Sequence, residues 1–197
     1  KMYKIIWPES IDMNKIFTEM SIFFNVDIKV INELWNEYKS IHKKYDHKKL
    51  GERETLNTEE TFVMFAMFKF LVPSSFIEIG TLLGRSTRRL LDIKKELGLQ
   101  FDIKCYDITN EVKHFKPNEA ELIIHDMTGN VKETLDKYKT PGIVYLDAHP
   151  YDLTIEVIKE VISRKDWRLV IHDCGEILCN PDIKIPKDRP QDITSLT

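Results

Sequence analysis

From Ser75 onward, strand-length apolar runs alternate with amphipathic ones, and this rhythm restricts the fold more than any other feature. Phe76–Ile79, Phe101–Tyr106, Glu121–Ile124, Ile143–Leu146 and Leu169–Ile171 are short and rich in β-branched and aromatic residues. Between them, Ser86–Leu97, Val131–Tyr138 and Leu153–Ser163 carry apolar residues at helical spacing, and 109–115 has room for one more short helix. Continuous apolar strands are covered on both faces, and strands separated by helices are joined by crossovers. The pattern predicts an α/β three-layer sandwich around a mostly parallel five-stranded sheet, with Phe76–Ile79 central.

The chain before Ser75 reads differently. Val26–Tyr45 places Ile28, Ile31, Leu34, Trp35, Tyr38 and Ile41 at helical spacing. Phe62–Val72 is apolar but far shorter than the ~20 residues of a membrane span, so it is read as a buried helix that Thr58 opens and Pro73 ends. Phe23, Phe24, Trp35 and Tyr38 are expected in the core or facing a partner. The division that follows is a helical extension over 1–72, a Rossmann-like core over 73–175 and a Pro-rich, loop-like tail over 176–197.

Charge and cysteine narrow the setting. Net charge is −3, which gives no broad basic field for nucleic acid. The His42–Lys49 run is read as an exposed loop, and Arg85, Arg88 and Arg89, at i, i+3, i+4 spacing, as a solvated helix face. Cys105, Cys174 and Cys179 are an odd set that does not suit a disulfide framework, so a reducing cytoplasm is expected. The opening residues lack the apolar stretch of a signal peptide, and no membrane partner is expected. A homo-oligomer is left open.

Chemistry gathers where strands end. In a parallel sheet of this type, ligands bind beyond the carboxyl ends of the strands, where the strand order reverses. Those ends here carry Glu78 and Gly80, Asp107, His125 and Asp126, Asp147 and His149, and His172 and Asp173. The first strand runs into its helix through Glu78-Ile-Gly80-Thr81-Leu-Leu-Gly84-Arg-Ser86. Glycines at such a turn let the backbone bend sharply and approach a ligand. A dinucleotide fingerprint would need a middle glycine where Leu82 stands, and a phosphate-binding Walker loop would need a lysine before Ser86. The turn suits a ligand without a pyrophosphate.

That turn resembles motif I of class I S-adenosylmethionine-dependent methyltransferases. The likeness is to metal-dependent small-molecule O-methyltransferases of the catechol and caffeoyl-CoA type, and to relatives that modify sugars and antibiotics. It covers Phe76 to about Gly175. It implies that Glu78, Gly80, Thr81 and Gly84 line the methionine part of S-adenosyl-L-methionine, with Ser86 at the helix N-terminus by its carboxylate. It implies Asp107 at the ribose and Asp126 beside adenine, although Asp107 also suits a loop acid and Asp126 a helix cap.

Gly142-Ile-Val-Tyr-Leu-Asp147-Ala-His149-Pro-Tyr151 is similar to the family's element after the fourth strand. The resemblance implies Asp147 beside the cofactor and, with Asp173 after the fifth strand, on a divalent cation. Mg²⁺ is expected, although His172 as a further ligand would suit a softer ion. Methyl transfer to an alcohol requires its proton to be withdrawn, by metal activation or by a base. His149, two residues past Asp147, is expected to be that base. A small polar acceptor such as a sugar or sugar nucleotide follows from the likeness. An NAD-dependent oxidoreductase and a non-catalytic binding module remain as alternatives. The family's sheet has seven strands, and only five are legible, so the C-terminal strands are expected to be lacking.

Overall fold

The computed structural model describes residues 12–45, 58–148 and 150–172. Three helices come first: α1 (Met13–Phe24), α2 (Ile28–Lys44) and α3 (Thr58–Leu71). Then follow β1 (Ser75–Ile79), α4 (Arg85–Glu96), β2 (Asp102–Asp107), β3 (Glu121–Ile124), α5 (Val131–Leu135), β4 (Gly142–Leu146), α6 (Tyr151–Ser163) and β5 (Trp167–Ile171). All strand pairs are parallel, in the order β3-β2-β1-β4-β5. The Rossmann-like sandwich and its central strand are as the alternation predicts.

Local chemistry sets the boundaries of the first two helices. Asp12 caps α1 by accepting from Asn14 N–H at 2.9 Å, and Asp27 caps α2 from Lys29 N–H at 2.7 Å. Asn25 closes α1 in the left-handed conformation, and His42, Lys43 and Lys44 sit in the last turn of α2, where the helix dipole favours cations. Helix α3 is buried from Thr61 to Phe68. Phe62, Phe65 and Phe68, wholly buried there, each withdraw enough surface from water to contribute about 1.5–3 kcal/mol.

Side-chain alternation divides the core in two. Phe76, Ile103, Cys105, Ile143 and Tyr145 pack with α1–α4. Ile77, Ile79, Tyr106, Val144 and Leu146 pack with α5 and α6 through Val131, Leu135, Leu153, Val157 and Val161. The register is flush: Ile79 lies beside both Tyr106 and Leu146. Residues just past β1, β2 and β4 therefore emerge together, at the reversal of strand order between β1 and β4.

Three expectations are corrected. No helix forms over 109–115, because its backbone donors go elsewhere: Lys113 and His114 N–H bond Leu83 O at 3.0 and 3.3 Å. The arginines of α4 are not a solvated face. Arg88 bridges Asp92 at 2.7 Å and Glu119 at 2.6 Å, and Arg89 is buried with its guanidinium 3.5 Å from Thr61 Oγ1. Helix α5 also stops at Leu135, where the chain turns and the Tyr138 hydroxyl meets that of Tyr106 at 2.6 Å. Among the described residues, no helix is long and apolar enough to cross a membrane.

Candidate functional site

Gly80 follows β1 with φ +89°, and its Cα faces the start of the segment after β4. A Cβ there would lie 2.5 Å from Asp147 O and 2.8 Å from Ala148 N. Asp147 N–H in turn bonds Ile79 O at 2.8 Å. The missing side chain thus lets the ends of β1 and β4 close on each other, which places Asp147 beside the glycine turn. Gly84 begins α4, and a Cβ on it would meet the Phe115 ring at 2.6 Å. Both glycines make room for protein neighbours at the positions the motif marks.

Glu78 is fully buried. Its Oε2 accepts from Thr87 Oγ1, from Thr81 Oγ1 at 3.4 Å and from Cys105 Sγ at 3.4 Å, while Oε1 has no partner. Burial pushes this carboxyl up to about 7, against hydrogen bonds from Thr87 and Cys105 that pull it down. Ser86 also bonds it. Glu78, Thr81, Ser86 and Thr87 are therefore one cluster beneath the first turn of α4. Burial raises the Cys105 thiol as well, which makes it an unreactive packing residue.

Asp107 ends β2 and ties it to the glycine turn. Its Oδ2 accepts from Leu82 N–H at 2.7 Å, and its Oδ1 accepts from Thr109 N–H at 2.9 Å and Oγ1 at 3.0 Å. Partial burial opposes the charge, but these hydrogen bonds outweigh it and hold the carboxyl below its usual range. Asp126 is exposed after β3 and accepts from Thr128 N–H at 2.9 Å, which keeps its carboxyl low. This is a local turn and not the helix cap expected: α5 begins at Val131 behind Asn130, whose own side chain makes no capping bond. Leu82, where a dinucleotide loop would have glycine, has φ +46° and an exposed side chain.

His172 follows β5, with its N–H on Leu146 O at 2.9 Å. Its Nδ1 lies 3.1 Å from Glu60 Oε1, in the first turn of α3. His149 and Asp173 lie outside the described residues. Among the described residues, no three His, Cys, Asp or Glu side chains gather as a metal site would require.

Sequence reasoning missed Thr87 and Cys105 beneath Glu78, Phe115 at Gly84, and Glu60 at His172. Cys105 had a usable signal, since in-register pairing of β1 and β2 sets it opposite Glu78. Glu60 had none, being 112 residues from its partner.

The sequence matches no protein-family model and no curated protein. The structure is similar to the solved structure cmcI-N160 SAH, with a TM-score of 0.52 and 20% identity over 62% of this chain and 63% of that one. It is also similar to the CmcI-N160 apo-structure, with a TM-score of 0.51 and 20% identity over 58% of this chain and 52% of that one. The matched region therefore spans less than two thirds of either chain's length. The chain has the Rossmann-like fold that its resemblance to class I S-adenosylmethionine-dependent methyltransferases implies, and shares that fold with cmcI.

Proposed function

We propose that the chain is an S-adenosylmethionine-dependent methyltransferase acting on a hydroxyl of a small polar acceptor, such as a sugar or sugar nucleotide. One observation carries the reading: the glycine turn, Asp107 and Asp147 converge where the strand order reverses, on a fold shared with a structure that holds SAH. SAH, S-adenosylhomocysteine, is what the cofactor leaves after giving up its methyl group.

The residues suit a cofactor with an amino-acid end and a ribose. No side chain caps α4 at Gly84, so the positive end of its dipole is available to a carboxylate. Glu78 Oε1, buried without a partner near the end of β1, is a further polar atom beside that turn. Asp107 stands at the end of β2, held in its charged form for a diol. Asp126 is the proposed contact for adenine. When bound, the cofactor supplies an electrophilic methyl group on a sulfonium. The chain's own contribution is to orient the acceptor oxygen in line with it, exclude water and receive the hydroxyl proton. His149 is proposed for that last task, and Asp147 with Asp173 for a divalent ion. The proposed compartment is the cytoplasm, on the scarcity of cysteine.

The deciding experiment is calorimetry with S-adenosylmethionine, SAH and NAD, followed by transfer of labelled methyl to a panel of monosaccharides and nucleotide sugars. Binding of the first two alone is expected, weakened about tenfold or more by Asp107→Ala, the scale of a lost charged hydrogen bond. Excess chelator in the transfer assay should stop turnover, and Mg²⁺ should restore it. Binding of NAD alone would overturn the reading. Full turnover in chelator would leave methyl transfer standing without the metal.

A further inference from the structure

Asp107 is the residue proposed for the ribose, yet its carboxylate is already engaged by the chain itself. An ionised carboxylate offers about four lone-pair sites. Leu82 N–H takes one on Oδ2 at 2.7 Å. Thr109 takes two on Oδ1, through its N–H at 2.9 Å and its hydroxyl at 3.0 Å. Thr81 N–H draws on the same carboxylate. A ribose diol with both hydroxyls on Asp107 brings two further donors. They exceed what the carboxylate has left, so a resident donor has to leave when the diol arrives.

The donors differ in how firmly they are held. Leu82 has φ +46°, a left-handed conformation that a side chain adopts at a cost, so its bond to Asp107 helps to hold the turn. That turn is tied on both sides: Gly80 N–H bonds Tyr106 O at 2.9 Å, and Gly84 N–H bonds Thr81 O at 2.8 Å. Gly80 is also fixed against the backbone of Asp147. Leu82 N–H cannot swing away without undoing these contacts. Thr109 is exposed and follows Ile108, which is 72% exposed. Among the described residues, the chain beyond Thr109 is next tied through its backbone at Lys113, whose N–H bonds Leu83 O at 3.0 Å. The Thr109 hydroxyl needs only a side-chain rotation to leave, and water can take it up. Thr109 is therefore the donor that yields.

We propose that Thr109 is an internal competitor for the cofactor's ribose: its hydroxyl occupies the Asp107 oxygen that a ribose hydroxyl takes in the complex, and this exchange sets cofactor affinity. The proposal rests on the methyltransferase reading for its ligand, and on the hydrogen bonds of Asp107 for the competition. One hydroxyl donor replaces another on the same acceptor, so the carboxylate stays satisfied with the cofactor bound or released. A resident donor that returns to Asp107 favours release of SAH after transfer.

Calorimetry of the full chain with SAH and with its 2′,3′-dideoxy analogue, which has no diol, tests the competition. Thr109→Val keeps the side chain's shape and the backbone N–H but removes the hydroxyl donor. It should bind SAH at least about threefold more tightly than wild type, the scale of one hydrogen bond, and bind the dideoxy analogue as wild type does. Thr109→Ser restores the hydroxyl and should restore the wild-type affinity. Thr109→Ala, which also lacks the hydroxyl, should repeat the gain and decides the matter should valine disturb the turn. Equal SAH affinities of wild type and the hydroxyl-free variants overturn the proposal. So does weaker SAH binding by those variants, which would make Thr109 a group that orients the carboxylate. A gain of the same size for the dideoxy analogue overturns it too, because the diol would then play no part. Absence of SAH binding by the wild-type chain is a different result, and it defeats the methyltransferase reading itself.

Discussion

Glu78 occupies the middle of the sheet, where an apolar residue would pack at no electrostatic cost. Its ionisation is opposed by burial and by the charge of Asp147, and only hydroxyl and thiol donors offset this. The carboxyl is raised from 4.5 in the unfolded chain to about 7 in the folded one. Between those values the folded protein binds the extra proton, so stability falls as pH rises through the window and the full cost is present above it. Glu78→Gln removes that ionisation. The variant should melt near the wild-type temperature, or slightly lower, at pH 4.5. By pH 8 it should gain on the order of a few kcal/mol relative to wild type, since every tenfold difference in proton affinity between the folded and unfolded chain is worth ~1.4 kcal/mol. Thermal unfolding of both proteins at the two pH values measures the difference. A variant less stable than wild type at pH 8 would mean that hydrogen bonding to the ionised form outweighs desolvation. A carboxylate kept at such a cost in stability is the pattern expected of a group retained for a ligand.

At the scale of one turn, the spacing of Gly80 and Gly84 was legible in the sequence, but the reason for it was not. A glycine beside a proposed ligand invites the reading that backbone meets ligand. What meets Gly80 is the backbone of Asp147 and Ala148, 67 and 68 positions further on, brought there by the β1–β4 pairing. Strand order decides this, and no local pattern encodes strand order. Asp107 is a similar case: its place at the end of β2 could be read from the rhythm, whereas its grip on Leu82 N–H depends on how the turn folds back. The two effects at Gly80 can be separated with Gly98, which also has positive φ, +64°, but nothing within 4 Å of an added Cβ. Gly98→Ala should cost about 1–2 kcal/mol, the conformational contribution alone. Gly80→Ala adds a clash with a carbonyl that cannot move without breaking the sheet, so its loss should be clearly larger. Urea unfolding of the two variants gives the comparison, and equal losses would show that the β4 end yields freely.

For the whole molecule, the change of rhythm at Ser75 suggests a helical extension followed by a separate core, but the packing joins them. Phe62 touches Phe17 at 5.9 Å and Trp35 at 4.9 Å between centroids, and further along the same helix Phe68 meets Phe76 at 5.4 Å and Phe101 at 5.0 Å. Periodicity revealed that α3 is buried, because an all-apolar helix has to be. It did not reveal that one end of α3 belongs to the helices and the other to the sheet, since composition is uniform along it. The sheet keeps a second apolar face against α5 and α6, but its other face is covered by α3 together with the N-terminal helices in one continuous cluster, so the described residues should unfold together. Trp35 in α2 and Trp167 at the start of β5 report on the two sides. Variants retaining only one or the other should show coincident urea transitions by fluorescence. Phe68→Ala, which removes a ring from the junction, should shift both by the same amount, a loss of about 3–5 kcal/mol. If the Trp35 signal moved to lower urea while the Trp167 signal stayed, the N-terminal helices would be a separable layer.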